Sequence, residues 1–180
     1  YKEYSEKLYK LLLEYTDKIE RFSIDECFLD MTEYLMKATL MDKAKEIRKR
    51  VNEELEFTVN IGLSSNKLLA KMASDFEKPN KIHTLYPNEI QDKMWQLPIK
   101  DLFMLGRKTA PKLYNMNIKT IGDLAKTDKN KLINKFGKHG KIMWEYANGI
   151  DDSEVVYKYE KPKSIGNSTI YGWQRKAIQS

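Results

Sequence analysis

The sequence predicts an α+β fold followed by a small all-helical segment, on three observations. Residues 1–86 switch between helical and strand periodicities in the order helix, hairpin, helix, strand, helix, strand. Near Pro98 the texture changes to short helical stretches punctuated by glycine. Charge changes with it: residues 1–60 carry 11 Lys and Arg against 14 Asp and Glu, a net of −3, whereas residues 100–150 carry 11 against 4, a net of +7. A sheet layered with helices is the natural packing for the first pattern. A basic segment beside an acidic one points to a polyanion gripped by one part while the other does different work.

Each element has its own warrant. Tyr4, Leu8, Leu11, Leu12 and Tyr15 recur on one helical face, with lysines and glutamates between them. Ile19, Phe22 and Ile24 form a first β-prone run and "CFLDM" a second. Only Asp25 and Glu26 separate the two, the spacing of a two-residue hairpin connection, although such turns favour glycine. Leu40, Ala44, Ile47, Val51 and Leu55 predict a second helix. Phe57, Val59, Ile61 and Leu63 alternate as a half-buried strand does. Ser64 or Ser65 can cap a third helix, which buries Leu68, Leu69, Met72, Ala73 and Phe76. "KPN" at 78–80 stops it, and "KIHTLY" reads as another strand. Boundaries follow from the shifts in texture: residues 1–92, 93–152, and a short strand-like stretch with a lysine- and proline-bearing linker over 153–180.

Composition narrows the class. The chain has 180 residues, 41% of them apolar and 32% charged, with a net charge of +6. No apolar run approaches the roughly 18 to 20 residues that span a bilayer, and no signal pattern opens the chain. It begins at Tyr1 rather than Met, so it reads as an internal piece of a longer product. Cys27 is the single cysteine; this excludes an internal disulfide and fits a cytoplasmic protein. His83 and His139 have no partner at metal-ligand spacing.

Two features carry chemistry. In "SIDECFLDMT", Asp25 and Glu26 sit side by side, where like charges repel. Either they lie on a solvated turn, or something strongly positive sits there in the working protein. The basic segment contains two glycine hairpins between short helices, "LFMLGRKTAPKL" and "LINKFGKHGKIMWEYA". The first turns at Leu105-Gly106 and the second through Gly137 to Gly140. A helix N-terminus behind such a turn offers free backbone N–H groups and a favourable dipole to a phosphate, and glycine lets the phosphate come close. Gly106, Arg107, Lys108, Gly137, Lys138, Gly140 and Lys141 are therefore the candidate residues for binding a nucleic-acid backbone, DNA or RNA, with Lys112 and Lys135 nearby. Leu102, Leu113, Ile118, Ile121, Leu124, Leu132, Ile133 and Trp144 read as core. Two ordinary helical corners are the bland alternative.

Three stretches in this order and spacing, "SIDECFLD", "GLSSNKLLAKMASDFEKPN" and "LPIKDLFMLGRKTAPKLYNMNIKTIGDLA", together resemble the Y-family translesion DNA polymerases, in particular the DNA polymerase IV (DinB/UmuC-like) branch. The likeness continues through "ANGID" to "KSIGNST". It implies a partial polymerase palm over 1–92, a ferredoxin-like βαββαβ-type sheet with its first strand missing. A helix-hairpin-helix thumb follows over 93–152, and the truncated start of a little-finger domain over 153–180. By the same resemblance, Asp25 and Glu26 are catalytic carboxylates that ligate two Mg²⁺ ions, with Mn²⁺ as a substitute. Lys78 falls where the family contacts the incoming triphosphate, and Lys71, two helical turns earlier on the same face, is a second nucleotide-binding candidate. Asp30 reads as structural. The implied partners are primer-template DNA and deoxynucleoside triphosphates, with a sliding clamp reached through a region beyond this chain, and no membrane. The third metal ligand, the fingers and the residue excluding ribonucleotides would lie upstream of Tyr1, and the closing "GWQRKAIQS" departs from the family pattern. The expected function is that of a fragment of a translesion polymerase, inactive alone. The alternative is a non-catalytic helix-hairpin-helix DNA-binding module with a degenerate palm.

Overall fold

The computed structural model describes residues 1–34, 37–157 and 170–175, the last six through their backbone. The stretch "KSIGNST" at 163–169 lies outside the described residues. Two compact units are formed, one by residues 1–84 with the described part of 153–180, the other by residues 85–152.

In the first unit the predicted order of elements is present. Helix α1 (Lys2–Leu13) buries Leu8, Leu11 and Leu12, and Tyr15 beyond its end joins the same core. Strands β1 (Ile19–Arg21) and β2 (Glu26–Asp30) pair antiparallel, Arg21 opposite Cys27. The connection between them differs from the expected two-residue turn. Residues 22–25 form a four-residue loop closed by Phe22 N and Ser23 N, which donate to Glu26 O at 3.0 and 3.1 Å. A two-residue type I′ turn needs left-handed backbone at its second position, where Glu stands in place of the favoured glycine; β1 instead ends at Arg21 and Glu26 is the first residue of β2.

Helix α2 (Lys37–Glu54) lays Leu40, Ala44, Ile47 and Val51 into the core as its spacing requires. Strand β3 (Val59–Ser64) is buried at all six positions rather than half-buried. The extra burial comes from helix α3 (Lys67–Ser74). Gly62 allows the contact, because a Cβ there would lie 1.8 Å from the Ala70 carbonyl oxygen. Asn66 caps α3, its side chain accepting from Leu69 N at 2.8 Å; the expected serines do not. Phe76 lies past the helix end and is half-buried. Strand β4 (Ile82–Thr84) runs parallel to β3.

Strand β5 (Ile170–Arg175) sits between β2 and β3, antiparallel to both, giving the sheet order β1-β2-β5-β3-β4. No periodicity in the linear sequence assigns this stretch to the centre of the sheet, since its partners lie more than a hundred residues away.

The second unit is helical. Pro87–Glu89 and Ile99–Asp101 are single 3₁₀ turns, around the short helix α4 (Ile90–Lys93). They are followed by α5 (Thr109–Tyr114), α6 (Ile121–Lys126), α7 (Lys129–Phe136) and α8 (Lys138–Ala147). Pro111 falls in the opening turn of α5, where its missing N–H is harmless. The core holds Ile99, Leu102, Leu113, Ile118, Ile121, Leu124, Leu132 and Met143. Ile133 and Trp144 were expected there but are only half-buried. Trp144 is fixed from within the unit by its indole N–H, which donates to Thr127 O at 3.1 Å. Trp95 likewise donates to Ala147 O at 2.9 Å, tying the stretch before Pro98 to this unit.

Candidate active site

The acid pair stands at the mouth of the β1–β2 hairpin. Asp25, half-buried, is the last loop residue. Its Oδ1 accepts from Ser23 Oγ at 2.7 Å, which fixes the carboxylate against its own loop. Glu26 opens β2, and because successive strand side chains alternate in direction, the two carboxylates are not parallel. The Glu26 side chain is 12% exposed, and its Oε1 lies 2.7 Å from Lys71 Nζ. The repulsion written into the sequence is thus relieved on one side by a buried ammonium.

Lys71, the second nucleotide-binding candidate, is placed on Glu26. It is 7% exposed, and a buried cation is tolerated only when paired. Lys71 has two anions, Glu26 and, at 3.2 Å, Asp75 Oδ2. The other Asp75 oxygen, Oδ1, meets Lys78 Nζ at 2.9 Å. Lys78, with its side chain 25% exposed, is the outermost of these charges after Asp75. Four alternating charges, Glu26, Lys71, Asp75 and Lys78, therefore run from the hairpin along the end of α3. The close packing of α3 on Gly62 carries Lys71 to this position.

Asp25 and Glu26 offer hard oxygen donors, which suits Mg²⁺ or Mn²⁺. Among the described residues no group of three or more His, Cys, Asp or Glu could hold a metal ion, and the pair by itself does not make one. Asp30 is structural as expected, its Oδ1 accepting from Thr32 N at 2.9 Å and from Thr32 Oγ1. Cys27 is buried on β2.

A second buried ion pair has no signal in the linear sequence. Lys67 at the start of α3 meets Glu20 on β1 at 2.6 Å, with both side chains largely buried at 13% and 15% exposed. The same carboxylate accepts from Val156 N at 2.8 Å, and Lys67 donates to Glu154 O. Val155 packs with Phe28 and Ala70. These contacts hold residues 154–156 to the first unit.

In the second unit the two glycine turns prove unlike. At the first, the left-handed residue is Met104, with φ of 64°, not Gly106. A Cβ on Gly106 would meet only Thr109 Oγ1, at 3.9 Å, so this glycine leaves open space in front of α5. Arg107 and Lys108 beside it are exposed. At the second, Gly137 alone links α7 to α8, with φ 63° and ψ −139°, a conformation essentially reserved for glycine. Gly140 serves a different purpose from the one expected. Its Cβ would lie 2.1 Å from Leu132 O, so its missing side chain lets α7 and α8 touch and does not face an outside ligand. Its N–H donates to Gly137 O. The first amides of α8, at Lys138 and His139, have no acceptor within the helix. Lys138 and Lys141 are exposed beside them, Lys141 within 3.8 Å of Glu145. No helix among the described residues is long and apolar enough to cross a membrane.

Both units have relatives among known proteins. Residues 1–75 match the impB/mucB/samB family, and residues 100–151 match the family described as DNA polymerase-iota, thumb domain. DNA polymerase IV of Clostridium acetobutylicum is 50% identical over 169 residues, covering 94% of this chain and 43% of the relative. DNA polymerase IV 1 of Bacillus subtilis is 40% identical over 173 residues, covering 94% and 41%. The crystal structure of DinB from Sulfolobus solfataricus superposes with a TM-score of 0.77 at 30% identity, over 86% of this chain and 46% of that one. This chain thus spans about two fifths of the length of the curated relatives it matches. Matched in both of its units by sequence and in its fold by structure, the chain belongs to the DinB-type branch of the Y-family DNA polymerases.

Proposed function

We propose that this chain is the partial palm (residues 1–92) and thumb (93–152) of a template-directed translesion DNA polymerase, with residues 154–156 and β5 returning to the first unit. The observation that carries the reading is the Asp25–Glu26 pair where the hairpin loop enters β2, Asp25 fixed by Ser23 and Glu26 by the buried Lys71 of α3. A protein that only binds DNA has no use for two adjacent carboxylates held in this way.

In this reading Asp25 and Glu26 would hold Mg²⁺. Two such ions, when bound, supply the positive charge that stabilises the attacking and leaving oxygens of nucleotidyl transfer. Ser23 fixes the Asp25 carboxylate. Lys78 receives the triphosphate as a mobile point charge. Arg107, Lys108, Lys138 and Lys141, with the free amides at the head of α8, grip the duplex backbone without reading sequence. Primer-template DNA and deoxynucleoside triphosphates are then the partners.

Primer extension tests the reading. The 180-residue chain should bind primer-template DNA yet extend nothing with Mg²⁺ or Mn²⁺, because two carboxylates enclose two cations incompletely and the nucleotide is not fully aligned. Alignment alone is worth about 7 to 11 kcal/mol of barrier. The same chain joined to its upstream segment should extend the primer. Extension by the bare chain would refute the account of the donor set, and a joined protein that binds but never extends would favour a non-catalytic binding module.

A further inference from the structure

Asp75 is a polar residue that neither the metal site nor the nucleotide site requires, yet it touches the lysine of each. One carboxylate oxygen takes Lys71 at 3.2 Å and the other takes Lys78 at 2.9 Å. Lys71 in turn is shared between Asp75 and Glu26. The row is balanced, two anions and two cations, so each ammonium is held in proportion to what its neighbours offer.

We propose that Asp75 is a positioning residue that couples the carboxylate of Glu26 to Lys78: when Glu26 turns to a cation, Lys71 is drawn onto Asp75, and Asp75 gives up Lys78 to the triphosphate. This rests on the nucleotidyl-transfer reading above. The physical reason is the burial of Lys71. At 7% exposed its ammonium cannot replace a lost partner with water, and a buried charge left uncompensated is costly. Asp75 is the other anion in reach and takes up the charge. A carboxylate already neutralised by a buried ammonium has less field left for a half-exposed one, so Lys78 is loosened. Cation first, triphosphate second is the order of assembly this favours, and the coupling is reciprocal.

The test uses inorganic tripolyphosphate and the 180-residue chain at low ionic strength without metal. Binding is read from the amide NMR shifts of residues 75–80, so that the basic second unit does not contribute. Glu26→Gln frees Lys71 as a cation would, and should tighten tripolyphosphate binding roughly two- to five-fold, the range carried by an ion pair of this exposure. The gain should vanish in an Asp75→Asn background and also in a Lys71→Met background. Asp75 has a side chain 41% exposed, so its amide variant disturbs no core. Direct repulsion between Glu26 and the anion predicts the same gain in every background, and that additive outcome would overturn the coupling while leaving Lys78 in its nucleotide role. Binding unchanged by Lys78→Ala would overturn both.

Discussion

Lys78 is the residue where sequence and geometry meet most directly. It sits after α3, on the same carboxylate as Lys71 and with a quarter of its side chain exposed. Under the proposed function, in the chain joined to its upstream segment, Lys78→Ala should raise the KM for the incoming nucleotide and leave primer-template affinity unchanged, because on that reading the ammonium meets the triphosphate and not the DNA. Steady-state kinetics beside a DNA-binding titration decides this; unchanged KM removes Lys78 from the site. Asp123 makes a separate prediction in the second unit. It closes a capping box at the start of α6, accepting from Lys119 N and Thr120 N at 3.0 Å each. Those backbone N–H groups, first Lys119 and then Thr120, hold its carboxyl below the ordinary aspartate value of 3.8. A carboxyl whose folded pKa is depressed contributes stability above its unfolded pKa and loses it as pH falls through the folded one. Stability should therefore decline as the medium is acidified below about pH 4, and the decline should be shallower in Asp123→Asn, as followed by urea unfolding at several pH values.

At the scale of elements, two glycines do what their neighbours cannot. Gly62→Ala puts a methyl group 1.8 Å from the Ala70 carbonyl oxygen and 2.7 Å from Ser74 N. Since both are backbone atoms, α3 must move. The expected cost is about 1 to 3 kcal/mol, the range of an overpacked core, and Lys71 should move away from Glu26. Gly140→Ala should cost a similar amount by prying α8 from Leu132. Thermal denaturation measures both, and a cost under about 0.5 kcal/mol, the level of a surface substitution, would contradict the close contact. Much at this scale was legible beforehand. The apolar spacing of Leu40, Ala44, Ile47 and Val51 placed α2, and the order of elements through β4 followed from similar patterns. What was hidden depended on contacts distant in sequence. The β1–β2 connection lengthened because Glu26 O takes two loop amides, a choice made by hydrogen bonding rather than by spacing. β3 is buried on both faces because Val59, Ile61 and Leu63 pack with α2 while Gly62 lies against α3, and alternation in β3 itself carries no trace of the second contact. Gly140 looked like a partner for phosphate in the sequence, and only the path of α7 reveals it as a packing residue. The Asp25–Glu26 pair stands out in the sequence alone, but the contact of Glu26 with Lys71, 45 residues downstream, does not.

At the scale of the whole molecule, the first unit holds the Asp25–Glu26 pair and the second the excess positive charge, which under the proposed function divides chemistry from binding. DNA affinity should map to residues 97–150, weaken steeply with salt and show little preference among sequences. Each neutralised phosphate adds about −0.9 to the slope of log K against log salt. Lys108→Glu with Lys138→Glu should flatten that slope; salt-insensitive binding, or binding that maps to residues 1–60, would contradict this division. The central claim, that Asp25 and Glu26 do chemistry and the basic unit does binding, is tested most directly by Glu26→Gln in the protein joined to its upstream segment. Primer extension and primer-template affinity are measured on the same preparation. The account predicts extension lost and affinity retained, since the substitution removes one anionic donor and touches no basic residue of the second unit. Extension at the unsubstituted rate would contradict it.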